Sequence, residues 1–260
     1  MPANVYHFEY GDSSKLPVLF THAFPLTHSM WNPQIEALDV GYRVVAYDMR
    51  GFGRSDTGNG QYMLEFMVDD LFGLMDHLRI ERAVLCGLSM GGYITLRAAE
   101  RALDRVRALV LADTRSEADS TEAKVKRANA IKTVQKHGVA MFGENFVQTA
   151  FAPTTLTENA GLVEATALAI RGNSVTGVCG ALVAMASRTD TTAFLPEIKV
   201  PTLILVGEHD ALTPPAASRA MAEKIPGSEL HVIPGAGHLS NLENAPAFNR
   251  HLTEFLTRIQ

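Results

Sequence analysis

The sequence predicts an α/β protein with a mostly parallel, doubly wound sheet and a helical cap inserted between two late strands. Short apolar runs alternate with longer amphipathic segments over most of the chain, which is the pattern of a parallel sheet covered by helices. The alternation lapses between about 115 and 197, where only helical patterns occur, and it resumes at 201–207. We therefore predict a core domain of residues 1–114 and 198–260 and a helical cap of residues 115–197.

Six apolar runs are candidate strands, and most of them consist almost continuously of Val, Leu and Ile. Such runs are typical of strands that are buried on both faces of a parallel sheet. The predicted strands are 17–22, 42–48, 82–87, 106–113, 201–207 and 228–233. Helical patterns between them are centred on 30–38, 63–79, 90–102, 215–224 and 242–258. Four further helices are predicted in the cap, at 121–137, 139–150, 158–171 and 174–187.

Composition excludes several classes of protein. The chain has 260 residues, 47% of them apolar, and a formal net charge of -5, so it can bury a large core and is a poor nucleic-acid binder. Its densest basic stretch, 124–132, has apolar residues at every third position and is interpreted as a helix with a solvated cationic face, with an anion site as the alternative. Glycine patterns that would cradle a nucleotide are missing, so no cofactor is expected.

The two cysteines, Cys86 and Cys179, lie far apart and have no metal-binding or redox spacing. This usage suits a reducing compartment, and we expect neither a disulfide nor a metal site. The segment 1–12 lacks the features of a signal peptide, and no apolar run approaches the length of a membrane span. We expect a cytoplasmic protein with a small-molecule substrate and no membrane partner, and we leave the oligomeric state open.

The stretch "GLSMGG" contains the first candidate for chemistry. Ser89 lies between Gly87 and Gly91, at a predicted strand-to-helix junction. Glycines two positions before and after a sharp turn relieve crowding, and the residue at the apex is then strained and exposed above the sheet. The following helix directs free N–H groups at the same point, which suits a nucleophile whose attack creates an oxyanion. A cap for the helix is the alternative role of this serine.

A serine nucleophile needs a base and a carboxylate that orients the base. His238 is the candidate base, because it lies in a Gly-rich loop after the last predicted strand. Asp210 directly follows the strand at 201–207, and the chain order Ser89, Asp210, His238 is the order expected for this type of sheet. Asp113 also ends a strand and is the rival acid.

The oxyanion requires two N–H donors. The first candidate is the backbone N–H of Met90, which follows the nucleophile. The second is the backbone N–H of Phe24, in the loop after an early strand. Pro25 restricts Phe24 to an extended conformation and helps to define this loop.

Together these segments resemble the serine α/β-hydrolase superfamily over nearly the whole chain outside the cap. The motifs, in chain order, are "HAFPL", "YDMRGFGRSD", "GLSMGG", "VPTLILVGEHDALTPP" and "PGAGHLSNLENAP". Within the superfamily the chain is similar to small bacterial carboxylesterases, cofactor-free haloperoxidase/perhydrolase-type esterases and 3-oxoadipate enol-lactonases. The resemblance implies the α/β-hydrolase fold, and it gives the same assignment of Ser89, His238, Asp210, Phe24 and Met90.

One position departs from the superfamily, which usually has His-Gly where this chain has His22-Ala23. If that position needs a positive φ, Ala23 is strained there. The serine at position 89 excludes the branches with an aspartate nucleophile, such as haloalkane dehalogenases and epoxide hydrolases.

The resemblance and the triad predict hydrolysis of a small or medium, largely apolar carboxylic ester or lactone. We assign Trp31, Phe142, Phe146, Met185 and Leu239 to the substrate pocket. An enol-lactonase acting on a charged lactone would need a cation in the pocket, and the candidates are Arg115, Arg171 and Arg188. Hydrolysis of a carbon–carbon bond by the same triad and a small-molecule receptor with vestigial turnover are two further candidate functions.

Overall fold

The computed structural model describes residues 4–38 and 41–259. Seven strands form one sheet in the order β1-β3-β2-β4-β5-β6-β7. They are β1 (His7–Gly11), β2 (Pro17–Thr21), β3 (Arg43–Tyr47), β4 (Ala83–Leu88), β5 (Val106–Ala112), β6 (Thr202–Gly207) and β7 (Glu229–Ile233). β1 is antiparallel to β3, and the other neighbouring strands are parallel. The sheet confirms the predicted fold class.

The sequence predicted six of these strands and missed β1. The missed strand has the sequence HFEYG, is only partly buried and lies at the edge of the sheet. A short strand that lacks a continuous apolar run gives little signal in a search for buried parallel strands. β4 and β6, in contrast, are buried at every position, as their apolar sequences predicted.

Among the described residues, ten α-helices cover the sheet and form the cap. They are α1 (Asn32–Leu38), α2 (Leu64–His77), α3 (Met90–Arg101), α4 (Thr121–Ala150), α5 (Pro153–Glu158), α6 (Ala160–Arg171), α7 (Val175–Ala186), α8 (Pro215–Ala222), α9 (Ser240–Glu243) and α10 (Ala245–Ile259). Three short 3₁₀ helices, His28–Trp31, Leu103–Arg105 and Thr192–Glu197, complete the described part of the chain. The predicted helix 242–258 is divided into α9 and α10, because Asn244 leaves the helical conformation and its Oδ1 accepts the N–H of Ala247.

The cap consists of α4 to α7 and lies between β5 and β6. α4 is bent at Gly138, which has φ 82° and ψ 171° and so separates the two helices predicted at 121–137 and 139–150. The sequence did not predict α5, a helix of six residues that begins at Pro153. The domain boundaries at 114/115 and 197/198 stay a prediction.

The order of the strands brings two loops together at the carboxyl edge of the sheet. β2 lies between β3 and β4, so the chain first crosses to one side of β2 and then returns to its other side. Ligands of open α/β sheets bind at such a reversal of strand order. The loops that follow β2 and β4 therefore meet, and Thr21 of β2 pairs with Gly87 of β4.

Neither a single membrane-spanning helix nor a metal cluster is evident among residues 4–38 and 41–259. No one helix there is long and apolar enough to span a membrane. Taken together, α6 and α7 have the length and composition of a membrane span, but the two helices are bent by 96° relative to each other. No group of three or more His, Cys, Asp or Glu side chains in the same residues has an arrangement that would hold a metal ion.

Candidate active site

Ser89 occupies a strained turn between β4 and α3. Its backbone angles, φ 55° and ψ -113°, lie in a region that residues with a side chain rarely adopt. The flanking glycines allow this turn. A Cβ at Gly87 would lie 2.3 Å from the Gly91 carbonyl oxygen, and a Cβ at Gly91 would lie 2.1 Å from the carbonyl oxygen of Thr21 in β2. Neither glycine therefore has room for a side chain, because Gly87 packs against Gly91 and Gly91 packs against the backbone of β2.

His238 and Asp210 are buried and contact each other in the loops that follow β7 and β6. His238 Nδ1 lies 3.0 Å from Asp210 Oδ1 and 2.9 Å from Oδ2. Asp210 also accepts the hydroxyl of Thr213 at 2.6 Å and the backbone N–H of Leu212 at 2.8 Å. Burial alone would raise the pKa of Asp210, but attraction to His238 and these hydrogen bonds lower it below the usual value. The carboxylate therefore stays ionised beside the imidazole.

Asp113, the rival acid, lies near Asp210 but accepts hydrogen bonds from other groups. Its Oδ1 accepts the N–H of Gly207 at 2.7 Å, and its Oδ2 accepts the hydroxyl of Ser240 at 2.5 Å. Burial and repulsion by Asp210 raise the pKa of Asp113 well above its usual value. A proton is therefore harder to remove from Asp113 than from Asp210. The geometry favours Asp210 as the partner of the histidine.

His22, in the loop after β2, is engaged at both ring nitrogens. Its Nε2 accepts the backbone N–H of Met49 at 3.0 Å, so Nδ1 carries the proton and donates to the Ala23 carbonyl oxygen at 2.9 Å. Burial lowers the pKa of His22 to about 4, although the hydrogen bond to Ala23 opposes the shift. A neutral imidazole with both nitrogens occupied is a structural link between the loops after β2 and β3, and it has no nitrogen free to act as a base.

The two predicted oxyanion donors lie on the loops that meet at β2 and β4. Met90 is the first residue of α3, so its N–H has no acceptor within the helix. Neither this N–H nor that of Phe24 donates to a protein acceptor among residues 4–38 and 41–259. Ala23 is not one of the described residues with positive φ, so it fits the loop without the strain that a left-handed conformation would impose. The Phe24–Pro25 peptide bond is cis.

Several of the candidate catalytic residues line one cavity of about 430 Å³. Ser89 and His238 line it, together with Phe24 and Thr213. No hydrogen bond joins the Ser89 hydroxyl to His238 in the described part of the chain. Such catalytic hydrogen bonds often tighten only when the substrate binds.

The cavity has an aromatic side formed by the cap and the loop after β2. Phe142 and Phe146 line it, and their rings lie 5.8 and 6.5 Å from the ring of Phe24. Leu182 and Met185 of α7 also line the cavity. Three of the five residues assigned to the pocket from the sequence thus reach it: Phe142, Phe146 and Met185.

The remaining two assigned residues, Trp31 and Leu239, are not among the residues that line the cavity. Trp31 is fully buried in the core, where its ring lies 4.8 Å from Phe20 and 6.1 Å from Phe248. Leu239 is also fully buried and packs in the same core. Apolar residues beside catalytic loops commonly anchor those loops to the core, and the sequence does not distinguish that role from lining a pocket.

Charged residues form another part of the lining. Two of the three arginines considered from the sequence, Arg115 and Arg188, line the cavity, whereas Arg171 is exposed and pairs with Glu144 at 3.5 Å. Sequence reasoning missed further lining residues: Tyr93, Asp119, Lys126 and Arg127. Lys126 and Arg127 belong to the basic stretch 124–132. The clustering of cations in that stretch, which gave an anion site as the alternative interpretation, is the sequence feature that could have identified them.

The cap also holds the loop that carries His238. The backbone N–H of His238 donates to the carbonyl oxygen of Ala150, at the end of α4, at 2.7 Å. Glu243 accepts the N–H groups of Gly237 and Ala152, both at 2.8 Å, and the hydroxyl of Thr155 at 2.7 Å. The histidine loop and the start of α5 are therefore joined through one carboxylate.

Comparison with known proteins agrees with this geometry. Among curated sequences, 3-oxoadipate enol-lactonase 1 of Acinetobacter baylyi is 30% identical over 96% of this chain and 92% of its own length. A thermophilic esterase from Thermogutta terrifontis, solved with malate bound, is 38% identical and superposes with a TM-score of 0.95 over 99% of this chain and 94% of its own. The enol-lactonase from Burkholderia xenovorans LB400 is 30% identical, with a TM-score of 0.92 over 98% of this chain and 97% of its own.

A family profile described as "alpha/beta hydrolase fold" matches residues 17–245, which include Ser89, Asp210 and His238. The match begins at β2 and ends at the start of α10, so it spans the cap as well as six of the seven strands. By its sheet, its strand-to-helix turn at Ser89 and this match, the chain belongs to the α/β-hydrolase family.

Proposed function

We propose that the protein is a hydrolase of carboxylic esters or lactones that works through an acyl-enzyme on Ser89. One observation carries the proposal: a serine on a strained turn lines the same cavity as a histidine whose Nδ1 is paired with a buried carboxylate. The similar proteins named above are esterases and enol-lactonases, and both kinds of enzyme cleave a carboxylic ester bond.

In the first half of the reaction, Ser89 Oγ attacks the carbonyl carbon of the substrate while His238 Nε2 takes the hydroxyl proton. The carbonyl oxygen becomes an oxyanion and accepts hydrogen bonds from the N–H groups of Phe24 and Met90. The bond to the alcohol oxygen then breaks, and His238 returns the proton to that oxygen. The acyl group is left on Ser89.

In the second half, water attacks the acyl carbon and His238 takes one proton from it. The second tetrahedral intermediate collapses, the acid leaves, and Ser89 regains its proton from His238. With a lactone, the alcohol and the acid belong to the same product. Asp210 fixes the tautomer of His238 throughout and stabilises the imidazolium that forms in each half.

The aromatic side of the cavity supports the apolar acyl group predicted from the sequence. Phe24, Phe142, Phe146 and Leu182 offer a surface for an aliphatic chain. Burial of each methylene contributes about 0.8 kcal/mol, so a chain of a few carbons gains useful affinity there.

Covalent labelling tests the proposal. A neutral fluorophosphonate should add once to the protein, and peptide mapping should find the adduct on Ser89. Ser89→Ala should remove both the adduct and the turnover of p-nitrophenyl acetate, whereas Ser29→Ala, a change of the same kind at an exposed serine, should remove neither. Labelling that persists in Ser89→Ala would refute the proposal. Labelling without turnover of any ester or lactone would favour a receptor with a vestigial site.

A further inference from the structure

Part of the cavity that contains Ser89 is positively charged. Among the described residues that line it, four are permanent cations and one is a carboxylate: Arg115, Lys126, Arg127, Arg188 and Asp119. The protein as a whole is acidic, with a net charge of -5. The concentration of cations is therefore a local property of this cavity, and a partly enclosed cavity lined by one sign of charge attracts ligands of the opposite sign.

Arg188 is the most deeply placed of these cations, with only 6% of its surface exposed. Its guanidinium lies 4.1 Å from the centre of the Tyr93 ring, and its Nη2 donates to the Glu117 carbonyl oxygen at 2.7 Å. Its Nη1 donates to Asp119 and to the carbonyl oxygen of Met185. The fork of this arginine is held in one orientation by all of these contacts.

The charge of Arg188 is only partly compensated on the cavity side. Asp119 is shared, because Arg127 also donates to both of its oxygens. Burial alone would raise the pKa of Asp119, but the hydrogen bonds and the attraction of Arg127 and Arg188 lower it, so it counts as a single negative charge. Asp190, another carboxylate close to Arg188, does not line the cavity.

One donor of Arg188 is left over. Its Nε is buried and has no hydrogen-bond partner among residues 4–38 and 41–259. A buried donor of a charged group costs free energy when it is unpaired. Glu117, whose carbonyl oxygen accepts from Arg188, also has a buried side-chain atom without a partner among the described residues, Oε2. Glu117 does not line the cavity.

The position of Arg188 relative to the nucleophile follows from α3. Tyr93 lies one helical turn after Ser89, and its N–H donates to the Ser89 carbonyl oxygen at 3.1 Å. Residues four apart lie on the same face of a helix, so the ring of Tyr93 follows Ser89 along the wall of the cavity. Arg188 lies over that ring. A ligand that is attached to Ser89 at one end can therefore approach the arginine with its other end.

We infer that Arg188, Arg127 and Lys126, with Asp119 as their shared counter-ion, form a site for a carboxylate of the substrate; we call these four residues the Arg188 cluster. The inference rests on the proposed function and makes it more specific. The substrate is an ester or lactone of a dicarboxylic acid with its second carboxyl group free. The ester carbonyl lies at Ser89, the aliphatic chain on Phe24 and Phe142, and the free carboxylate at the cluster. The product of hydrolysis is a dicarboxylate.

Matched substrates separate this site from a purely structural ion-pair cluster. Monoethyl succinate, glutarate and adipate are compared at pH 7 with ethyl butanoate, pentanoate and hexanoate, which have the same number of acyl carbons and no free carboxylate. The wild-type protein should have a kcat/KM at least about tenfold higher for the best monoester than for its neutral match. Hydrogen bonds to a charged group commonly account for a change of this size.

Three variants locate the preference. Lys126→Met and Arg127→Met change side chains that are exposed or partly exposed, so they carry little risk of misfolding. Arg188→Lys keeps the charge but removes the fork and its Nε. Each should lower the ratio of acidic to neutral kcat/KM, by about tenfold for Arg127→Met and Arg188→Lys. Lys124→Met is the matched control: Lys124 is exposed on the same helix and does not line the cavity, so the ratio should not change.

A second readout does not depend on turnover. Adipate should inhibit hydrolysis of ethyl hexanoate competitively and at least about tenfold more tightly than hexanoate does, and Arg127→Met should remove this difference. Equal rates for acidic and neutral esters in the wild type would overturn the inference, and so would a preference that all three variants retain. Neither result touches the proposed function, which is tested separately by the labelling of Ser89 and by the turnover of uncharged esters and lactones.

Discussion

Asp210 and Asp113 lie close enough to influence each other, but only Asp210 contacts His238. The two oxygens of Asp210 lie 2.9 and 3.0 Å from His238 Nδ1. Asp113 instead accepts hydrogen bonds from Gly207 and Ser240. Burial, together with repulsion by Asp210, raises the pKa of Asp113, whereas attraction to His238 outweighs the effect of burial on Asp210 and lowers its pKa. One acid thus holds the backbone of Gly207 and the hydroxyl of Ser240, and the other faces the imidazole.

The two acids should therefore respond differently to the same substitution. Asp210→Asn should leave the fold intact but favour the wrong tautomer of His238, and kcat should fall by up to about 10⁴-fold. Asp113→Asn should change kcat by less than about tenfold, because Asp113 does not contact His238 and an asparagine can accept the Gly207 N–H and donate its amide to the Ser240 hydroxyl oxygen. Asparagine also tolerates the positive φ of 44° at this position.

Steady-state kinetics with p-nitrophenyl acetate, together with circular dichroism of both variants, measures this difference. If both proteins are folded and Asp113→Asn is the more severely impaired, the assignment of the acid has to be reversed.

Much of the site followed from the sequence because its backbone positions are dictated by local rules. A serine between two glycines, an aspartate after one strand and a histidine after the next are all recognisable in the sequence as residues that follow strand ends. The parallel sheet then brings strand ends to one edge. Ser89, Asp210 and His238 could be placed in this way without knowing any side-chain contact.

The charged lining of the cavity could not be derived in the same way. Arg127 and Lys126 lie on α4, and their approach to the cavity depends on how the cap packs over the sheet. The basic stretch 124–132 has the appearance of a solvated helix face, and part of it is solvated: Lys124 is exposed. The sequence pattern gives the face of a helix but not the neighbour that the face meets. Trp31 and Leu239, which were assigned to the pocket, pack in the core and do not line the cavity, because an apolar residue beside a loop has no sequence signal that tells a pocket from the core.

Gly91 provides a test of the strained turn. A methyl group at this position would lie 2.1 Å from the carbonyl oxygen of Thr21, which belongs to the backbone of a buried strand and has little room to move. Gly91→Ala should therefore lower the free energy of unfolding by at least about 2 kcal/mol, or prevent folding, as overpacking does in cores. Thermal and urea unfolding measure the change.

Gly161→Ala is the matched control for Gly91→Ala. Gly161 lies in α6, and a Cβ there would meet no atom within 4 Å. Alanine favours a helix more than glycine does, so stability should stay constant or rise by up to about 1 kcal/mol. Equal losses in both variants would contradict the steric explanation of the turn.

His22 should make stability depend on pH. Burial lowers its pKa to about 4 in the folded protein, whereas an unfolded histidine titrates near 6.5. Above pH 6.5 His22 is neutral in both states and the folded protein has its full stability. As the pH falls from 6.5 to 4, the unfolded chain binds a proton that the folded protein does not, so the free energy of unfolding decreases. The two pKa values correspond to a loss of about 3 kcal/mol.

The variant His22→Gln isolates this contribution from that of other groups. Glutamine has one acceptor and one donor, which can replace the hydrogen bonds to Met49 and Ala23 without a titratable group. Urea unfolding between pH 4 and 7.5 should give a steeper decline for the wild type than for the variant. Parallel curves would show that His22 does not carry the linkage.

The aromatic side of the cavity should set the preference for acyl chain length. Phe142 and Phe146 lie in the second half of α4 and line the cavity, and both rings approach that of Phe24. Alanine at either position removes surface that an aliphatic chain would contact, and each methylene that loses its contact costs up to about 0.8 kcal/mol, or fourfold in kcat/KM. The relative kcat/KM values for the ethyl esters of acetic to octanoic acid should shift by several-fold, whereas labelling of Ser89 by a neutral fluorophosphonate should proceed at nearly the parental rate.

Met141→Ala is the control, since Met141 is 45% exposed, adjacent to Phe142 and absent from the lining. An unchanged profile in both phenylalanine variants would mean that the acyl chain binds elsewhere.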